Sequence, residues 1–306
     1  MYKILEVNAN DKILDAACGS GAFLVKSMSN MIKEVGGINT KEAKKIKEHS
    51  LFGIEFDREI FALACANMMI HKDGKTNLEQ LDSRDKEASE WIKSKGITKV
   101  LMNPPFERKY GCKKIVENVL NSVPSGIKCA FIMPEKKMEK DKMGKLLEKH
   151  HLEAIIKLPE KLFDAGVTTS IYVFETGKKQ VGEIYGCYIE DDGLERVKNQ
   201  GRQDIKDKWM ELENYWVDSI RKRNDTKYGT SQWIDPKKFL SYQKPKAEFV
   251  LYEEDFVKTM MNYLMFKNKI DVKEFSDKLI NKTLYNSEIL KEDNNIVIKI
   301  KDAEDE

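Results

Sequence analysis

Long hydrophobic runs, paired cysteines and grouped histidines are all missing from this sequence of 306 residues. No stretch approaches the roughly 18 consecutive apolar residues that cross a bilayer, and the N-terminus lacks a signal-peptide pattern. We therefore expect a cytoplasmic protein without a membrane segment. The five cysteines include no C-x-x-C pair, which favours reduced thiols over disulfides or zinc. The four histidines have no ligand spacing, so we expect no metal.

Net charge is also nearly absent, at +2, although 34% of the residues are charged. Such a surface neither requires nor excludes nucleic acid, because local clustering of charge decides that question. With 41% hydrophobic residues the chain can bury a real core. Its length suits one large α/β domain with an appendage, or two small domains.

The first recognisable unit is a strand, a glycine-rich turn and a helix. Residues 12–15 read as a buried strand, the turn carries Gly19 and Gly21, and a helical pattern follows from residue 22. The glycines let the backbone approach a ligand closely. Asp15 at the strand's end suits a cationic amino group better than a phosphate. Leu24 stands where a dinucleotide fingerprint needs its third glycine, which argues against a nicotinamide cofactor.

Two further strands also end in acidic residues. Residues 51–57 form the second strand, and Glu55 is our expected ligand for two ribose hydroxyls, with Asp57 as the alternative. Phe56 could lie against a purine ring. Asp82, after a short third strand, could accept a hydrogen bond from the exocyclic amine of adenine. The other interpretation of each acid is a polar residue that ends a strand or forms a simple turn.

The tetrapeptide NPPF at 103–106 follows a fourth predicted strand. An exocyclic amine on a base is a poor nucleophile because its lone pair is delocalised into the ring. The side-chain oxygen of Asn103 and the carbonyl of Pro104 could accept both of its N–H bonds, and two successive prolines would hold these acceptors rigidly. Phe106 would offer a flat apolar face to a base swung out of its helix. The alternative is an ordinary Asn-Pro turn.

Strand and helix patterns alternate as far as residue 174 and predict a Rossmann-like, doubly wound α/β sheet in three layers. The late strands 151–158 and 168–174 are separated by little more than a turn, so we expect an antiparallel hairpin at one sheet edge. Residues 1–176 should form the domain that carries these sites. Residues 177–306 should form a mixed, mostly helical C-terminal extension.

The extension interleaves basic and aromatic residues over 202–246. Such a pattern could follow a phosphate backbone, but an amphipathic helix with a charged face explains the same residues, and we favour the helix. Residues 255–266 read as a helix that could pack on the main domain or a partner, and residues 295–300 as an edge strand. The extension therefore predicts a contact with DNA or with a partner chain.

Taken together, the spaced motifs resemble an S-adenosylmethionine-dependent DNA adenine-N6 methyltransferase, and more narrowly the modification (M) subunit of type I restriction–modification systems. The segment ILDAACGSGAFL is similar to the family's cofactor motif, which usually has Pro where Ala16 stands here. The segment GIEFD is similar to the family's ribose-binding strand. NPPF resembles the catalytic turn. FIMP and LEAIIKLPEKLFDAGVTTSIYVF resemble the later strands of that subfamily. These segments occupy 13–24, 53–57, 103–106, 131–134 and 152–174.

The resemblance implies a class I methyltransferase fold and S-adenosyl-L-methionine as cofactor. It implies catalytic roles for Asn103, Pro104, Pro105 and Phe106. It implies cofactor contacts from Asp15, Ala17, Gly19, Gly21, Glu55, Phe56 and Asp82. The implied reaction moves the sulfonium methyl directly to N6 of a flipped adenine in DNA. Specificity and restriction subunits would be the partners.

One departure and two alternatives remain open. Family members normally have an N-terminal helical domain and a Thr-Pro segment over the cofactor, whereas about ten residues precede the first strand here. We therefore expect a truncated or split subunit with weak cofactor affinity.

A similar Asn-Pro-Pro-aromatic turn also serves enzymes that methylate a glutamine amide or an RNA base amine. A non-catalytic scaffold subunit is the alternative outside the enzymes.

Overall fold

The protein is represented by a computed structural model. It describes residues 1–71, 77–138, 140–160, 162, 167–198, 200–245, 251–285, 287–292 and 295–300. The chain forms two compact units, Met1–Lys244 and Pro245–Glu306. Residues 177–244 belong to the first unit, so the boundary in the structure lies at residue 244 rather than at 176.

The first unit contains a nine-stranded mixed sheet with helices along the chain between its strands. Its helices are α1 Ala22–Glu34, α2 Lys41–His49, α3 Arg58–Ile70, α4 Lys86–Lys95, α5 Cys112–Ser122, α6 Lys140–Leu147 and α7 Trp209–Lys222. Short 3₁₀ turns occupy Arg108–Tyr110 and Glu135–Met138. The strands are β1 Ile13–Asp15, β2 Leu51–Ile54, β3 Leu78–Glu79, β4 Lys99–Met102, β5 Lys128–Pro134, β6 His151–Lys157, β7 Thr169–Glu175, β8 Ile184–Tyr188, β9 Glu195–Val197, β10 Gly201–Gln203 and β11 Ser231–Ile234.

The large sheet has the strand order β11-β8-β6-β7-β5-β4-β1-β2-β3, and β9 pairs with β10 in a separate hairpin. Strands β1 to β5 are all parallel. The order reverses between β1 and β4, so their carboxyl ends leave a crevice where ligands bind in doubly wound sheets. The predicted doubly wound α/β fold is confirmed.

Apolar residues cover both faces of the sheet and produce the expected three layers. Val100 and Met102 of β4 pack in one cluster with Ile92 of α4 and Val116 of α5. Leu101, between them in the sequence, joins the cluster on the other face, with residues of α1, α3 and α7. Successive side chains of a strand point to opposite faces, which explains this alternation.

The predicted antiparallel hairpin is present as β6 and β7, but it does not lie at the sheet edge. Strand β7 inserts between β5 and β6, and β8 pairs in parallel with the other side of β6. Strand β11 then pairs with β8 in antiparallel orientation. An unpaired β6 would expose a row of N–H and C=O groups, and the fully buried strand β8 covers them.

The second unit consists of helices and one hairpin. Helices α8 Glu253–Lys267 and α9 Val272–Tyr285 precede strands β12 Ser287–Glu292 and β13 Asn295–Ile300, which pair in antiparallel orientation. The predicted helix at 255–266 and strand at 295–300 are thus both present. Within the described part of the chain, no helix is long and apolar enough to cross a membrane.

Candidate active site

The carboxyl ends of β1 to β4 surround a cleft of about 450 Å³. Because these strands run parallel, the loops that follow them leave the sheet at the same edge. The cleft lining includes the predicted residues Ala17, Gly19, Glu55, Phe56, Asp82, Asn103 and Pro105. Asp15, Gly21, Pro104 and Phe106 are not among the lining residues. The unpredicted lining residues are Ala16, Ile60, Ser83, Arg84, Tyr110 and Ile115, together with Asp57, which the sequence offered only as an alternative.

Asp15 lies at the end of β1, directly before the lining residues Ala16 and Ala17, and is only 2% exposed. Burial raises the pKa of this carboxyl group from 3.8 to about 7. The backbone N–H of Ala17 donates to Oδ1 at 3.1 Å and opposes the shift, whereas the charge of Glu55 adds to it. The group therefore changes charge near neutral pH, and a nearby cation would keep it ionised.

The glycine-rich turn and Glu55 are joined through the backbone. Gly19 N–H donates to Glu55 Oε2 at 3.0 Å, and Asp57 N–H donates to Oε1 at 3.0 Å. Each carboxylate oxygen has a further lone pair, so Glu55 can still accept from a ligand hydroxyl. Gly21 has φ of +80° and forms the N-cap of α1, a conformation that favours glycine.

Asp57 has a structural task that distinguishes it from Glu55. It is the N-cap residue of α3, and its Oδ1 accepts from the N–H groups of Glu59 and Ile60 at 2.9 and 3.0 Å. An N-cap carboxylate satisfies backbone donors that have no partner inside the helix. This geometry favours Glu55 over Asp57 as the ribose ligand.

Arg84, Asp82 and Phe56 form a second group of interacting side chains in the cleft. Its Nε donates to Asp82 Oδ1 at 2.8 Å and Oδ2 at 3.0 Å, and its Nη2 donates to Oδ2 as well. These hydrogen bonds hold the pKa of the Asp82 carboxyl below its usual range. The guanidinium carbon also lies 5.8 Å from the ring centroid of Phe56, which is 57% exposed.

The NPPF turn begins directly after β4, as predicted. Pro104 is buried, while Asn103, Pro105 and Phe106 are partly buried. The side-chain oxygen of Asn103 is buried, and no donor from the described residues reaches it. Most buried polar atoms have a hydrogen-bond partner, so an acceptor without one in a cleft indicates a place for a ligand donor.

No group of three or more His, Cys, Asp or Glu side chains within the described ranges has the arrangement of a metal site. The polar side chains that line the cleft are three carboxylates, one amide, one guanidinium and the hydroxyl groups of Ser83 and Tyr110. Such a set can bind a cation, hydroxyl groups and amines through hydrogen bonds.

The strand order and the cleft at the switch point define a class I methyltransferase fold. The M protein of the type I restriction enzyme EcoKI shares this fold with a TM-score of 0.58 and 15% identity, over 71% of this chain and 51% of that one. A structure of a type I R-M system, solved to explain its assembly and conformational transition, aligns with a TM-score of 0.61 and 18% identity. That alignment covers 92% of this chain and 64% of the other.

The chain belongs to the N-6 DNA Methylase family, whose pattern matches residues 1–127 and 128–230. It is 28% identical over 293 residues to the type II restriction enzyme and methyltransferase RM.BcgI of Heyndrickxia coagulans, covering 87% of this chain and 44% of the relative. It is 22% identical over 202 residues to the type I restriction enzyme EcoEI methylase subunit of Escherichia coli, and this alignment covers 58% of this chain and 40% of that relative. The chain therefore spans less than half the length of either relative.

Proposed function

We propose that this chain is the catalytic core of a DNA methyltransferase that modifies N6 of adenine within a restriction–modification system. The observation that carries the proposal is the buried side-chain oxygen of Asn103, which has no donor among the described residues and belongs to a residue lining the cleft. It shares that cleft with Glu55 and Asp82, the two carboxylates expected to hold a nucleoside. Family membership supports the same reaction.

The cleft residues, together with Asp15 directly before the lining residues Ala16 and Ala17, fit S-adenosyl-L-methionine as the cofactor. The buried carboxyl of Asp15 suits a cationic amino group, and a Cβ built on Gly19 has no heavy atom within 4 Å, so the turn is open to a ligand. Glu55 would accept from the ribose hydroxyls, Asp82 from the adenine amine, and Phe56 would cover the ring. When bound, the cofactor supplies an electrophilic methyl group on a sulfonium centre.

The NPPF turn would prepare the target amine. Asn103 Oδ1 and the Pro104 carbonyl would accept its two N–H groups and draw the lone pair out of conjugation with the ring. Pro105 fixes the backbone of the turn, since proline φ is restricted. Phe106 would stack on the extruded base, and positioning of this kind accounts for much of the rate enhancement in enzymes.

The partners follow from what the relatives are. RM.BcgI combines a restriction enzyme with a methyltransferase, and the EcoEI relative is a methylase subunit of a type I restriction enzyme. We infer that this chain works with a specificity subunit and a restriction subunit on cytoplasmic DNA. Metal and membrane have no part in the proposed reaction.

The test is transfer of labelled methyl from S-adenosylmethionine to unmethylated duplex DNA, followed by digestion and identification of the nucleosides. Wild-type protein should yield N6-methyladenine. Asn103→Ala should lower the rate by about 100-fold or more, as loss of one well-placed hydrogen-bonding group does in other enzymes. Asn10→Ala, the same change at an exposed position outside the cleft, should leave the rate unchanged.

Cofactor affinity of the same variants, measured by calorimetry, separates the alternatives. Asn103→Ala should bind the cofactor as well as wild type does. Equal methylation by Asn103→Ala would refute the proposed role of the turn. Transfer to RNA or to a glutamine amide would favour the related enzymes, and cofactor binding without any transfer would favour a scaffold subunit.

A further inference from the structure

Five lysines lie on the two segments that follow β4 and β5, at the carboxyl ends of these strands, and we call them the basic rim. They are Lys109, Lys113, Lys114, Lys136 and Lys137. Three come from the segment that follows β4 and two from the 3₁₀ turn that follows β5. Because β4 and β5 are parallel neighbours, with Met102 opposite Phe131, both segments leave the sheet at the carboxyl ends of the strands, where the cleft lies.

Electrostatic interactions connect the 3₁₀ turn after β5 to the start of α5, and the segment after β4 to the cleft. Burial raises the pKa of the Cys112 thiol, at the start of α5, to about 11, and the charge of Lys137 opposes this shift. Lys114 contributes to the low pKa of Asp82. Tyr110, which lines the cleft, has the Lys109 amine 4.7 Å from its ring centroid.

Acids among the described residues neutralise only part of the positive charge of the rim. Lys109 pairs with Glu107 at 3.1 Å, and Lys113 pairs with Glu117 at 3.4 Å. The carboxylate of Glu135 accepts from Ser170 at 3.0 Å and lies 4.0 Å from Lys157.

The other three lysines of the rim have no such partner. Lys114, Lys136 and Lys137 form no ion pair with any residue that the structure describes. The first turn of α5 contains no acidic residue, and a helix N-terminus adds partial positive charge. Counted over the described residues, the rim therefore has net positive charge beside the NPPF turn.

We propose that the basic rim binds the phosphodiester backbone of the DNA strand that carries the target base. This inference rests on the proposed function, because a base held at Asn103 brings its own phosphates to the lip of the cleft. Lysine ammonium groups act on phosphates as point charges and do not read base edges. The rim thus provides affinity and fixes the position of the DNA strand, and another surface selects the DNA sequence.

The experiment compares two double variants that remove the same charge. Lys136→Gln with Lys137→Gln removes two lysines of the rim that form no ion pair with a described residue and do not act on Asp82. Lys41→Gln with Lys45→Gln removes two exposed lysines of α2. This helix leads into the start of β2, so it lies toward the amino ends of the parallel strands and away from the cleft. Binding of a fluorescent duplex is measured by anisotropy between about 50 and 200 mM salt, a range in which phosphate contacts dominate the salt dependence.

We expect the rim variant to lower the slope of log K against log salt concentration by about 2, because each lost phosphate contact removes about 0.9. Affinity should fall at least about tenfold at low salt, equally for two unrelated sequences, while the α2 variant matches wild type. An unchanged slope, a loss confined to one sequence, or no binding of wild type at low salt would overturn the proposal.

Methyl transfer in the same preparations distinguishes this proposal from the proposed function. The rim variant should raise KM for DNA and keep kcat and cofactor affinity, because its lysines do not touch the reacting atoms. Rim-dependent DNA binding without methyl transfer would refute the proposed function and leave the rim intact. Methyl transfer with an unchanged salt slope would refute the rim and leave the function intact.

Discussion

The buried carboxyl of Asp15 should reduce the stability of the protein as pH rises. Its pKa is about 7 in the folded protein against 3.8 for an ordinary aspartate, because burial disfavours the charged form. The folded state therefore holds its proton more tightly than the unfolded state. This contribution to the unfolding free energy is fully present below about pH 4 and is lost as pH rises through about 7.

The size of the effect follows from the pKa difference. About three pKa units correspond to about 4 kcal/mol, since one unit is 1.36 kcal/mol. Asp15→Asn keeps the shape of the side chain and its acceptor for the Ala17 N–H, and it removes the titration. The stability advantage of the variant over wild type should grow by roughly 2 to 3 kcal/mol between pH 5 and pH 8.

Urea unfolding at pH 5, 6, 7 and 8 measures this difference. All four tryptophans lie in the first unit, so their fluorescence reports on the unit that contains Asp15. Asp218→Asn, which removes an exposed carboxylate of α7, serves as the control and should follow the wild-type profile. Parallel profiles for wild type and Asp15→Asn would refute the argument that burial of this group costs stability.

Binding gives a second measure of the same group. A cationic amino group beside Asp15 would favour its ionised form, so binding should release a proton below about pH 7. Affinity for S-adenosylhomocysteine should then weaken up to about tenfold from pH 7 to pH 6 in wild type. Asp15→Asn should bind more weakly at pH 8 and show a flat profile, whereas a wild-type slope in the variant would exclude Asp15 as the group responsible.

Three further changes test separate parts of the cleft and its supports. Arg84→Ala should weaken cofactor binding about fivefold, because Asp82 loses the partner that holds its carboxylate in place. Arg84→Lys should restore only part of the affinity, because lysine lacks the planar guanidinium fork. Calorimetry measures the cofactor affinity of the two variants, and unchanged affinity would argue against a role for this pair. Gly53→Ala should destabilise by about 1 to 3 kcal/mol in urea unfolding, since its Cβ would lie 2.5 Å from Leu78 Cδ2; wild-type stability would show that the site relaxes. Asp57→Ala should cost about 0.5 to 2 kcal/mol as a lost helix cap and leave cofactor affinity unchanged; a large loss of affinity would show that Asp57 binds the ribose instead.

The parallel half of the sheet could be predicted because each of its units is local in sequence. A buried strand, a turn with Gly19 and Gly21, and a helical pattern together determine β1 and α1. The arrangement beyond β5 depends on pairing between distant segments. Periodicity identifies β6 and β7 as strands, but only the fold shows that β8 covers the open side of β6.

The candidate site divides in the same way. Strand ends predicted the positions of Glu55, Asp82 and Asn103, because carboxyl ends of parallel strands meet at one edge. Arg84 was missed because its role depends on side-chain geometry, although a basic residue two positions after an acid was visible. The capping role of Asp57 was readable from sequence, since an aspartate directly before a helical pattern is a typical N-cap.

Two polar groups at the carboxyl ends of the parallel strands lower the free energy of unfolding. Asp15 is a buried acid with no cationic partner among the described residues, and no donor from those residues reaches the buried side-chain oxygen of Asn103. Groups that break such rules without a local compensation are expected at functional sites, where a ligand satisfies them. The double variant Asp15→Asn with Asn103→Ala should therefore unfold at higher urea concentration than wild type at pH 8 and show no methyl transfer. A double variant less stable than wild type at pH 8 would mean that these groups serve the fold, and the strongest physical argument for a binding site here would be lost.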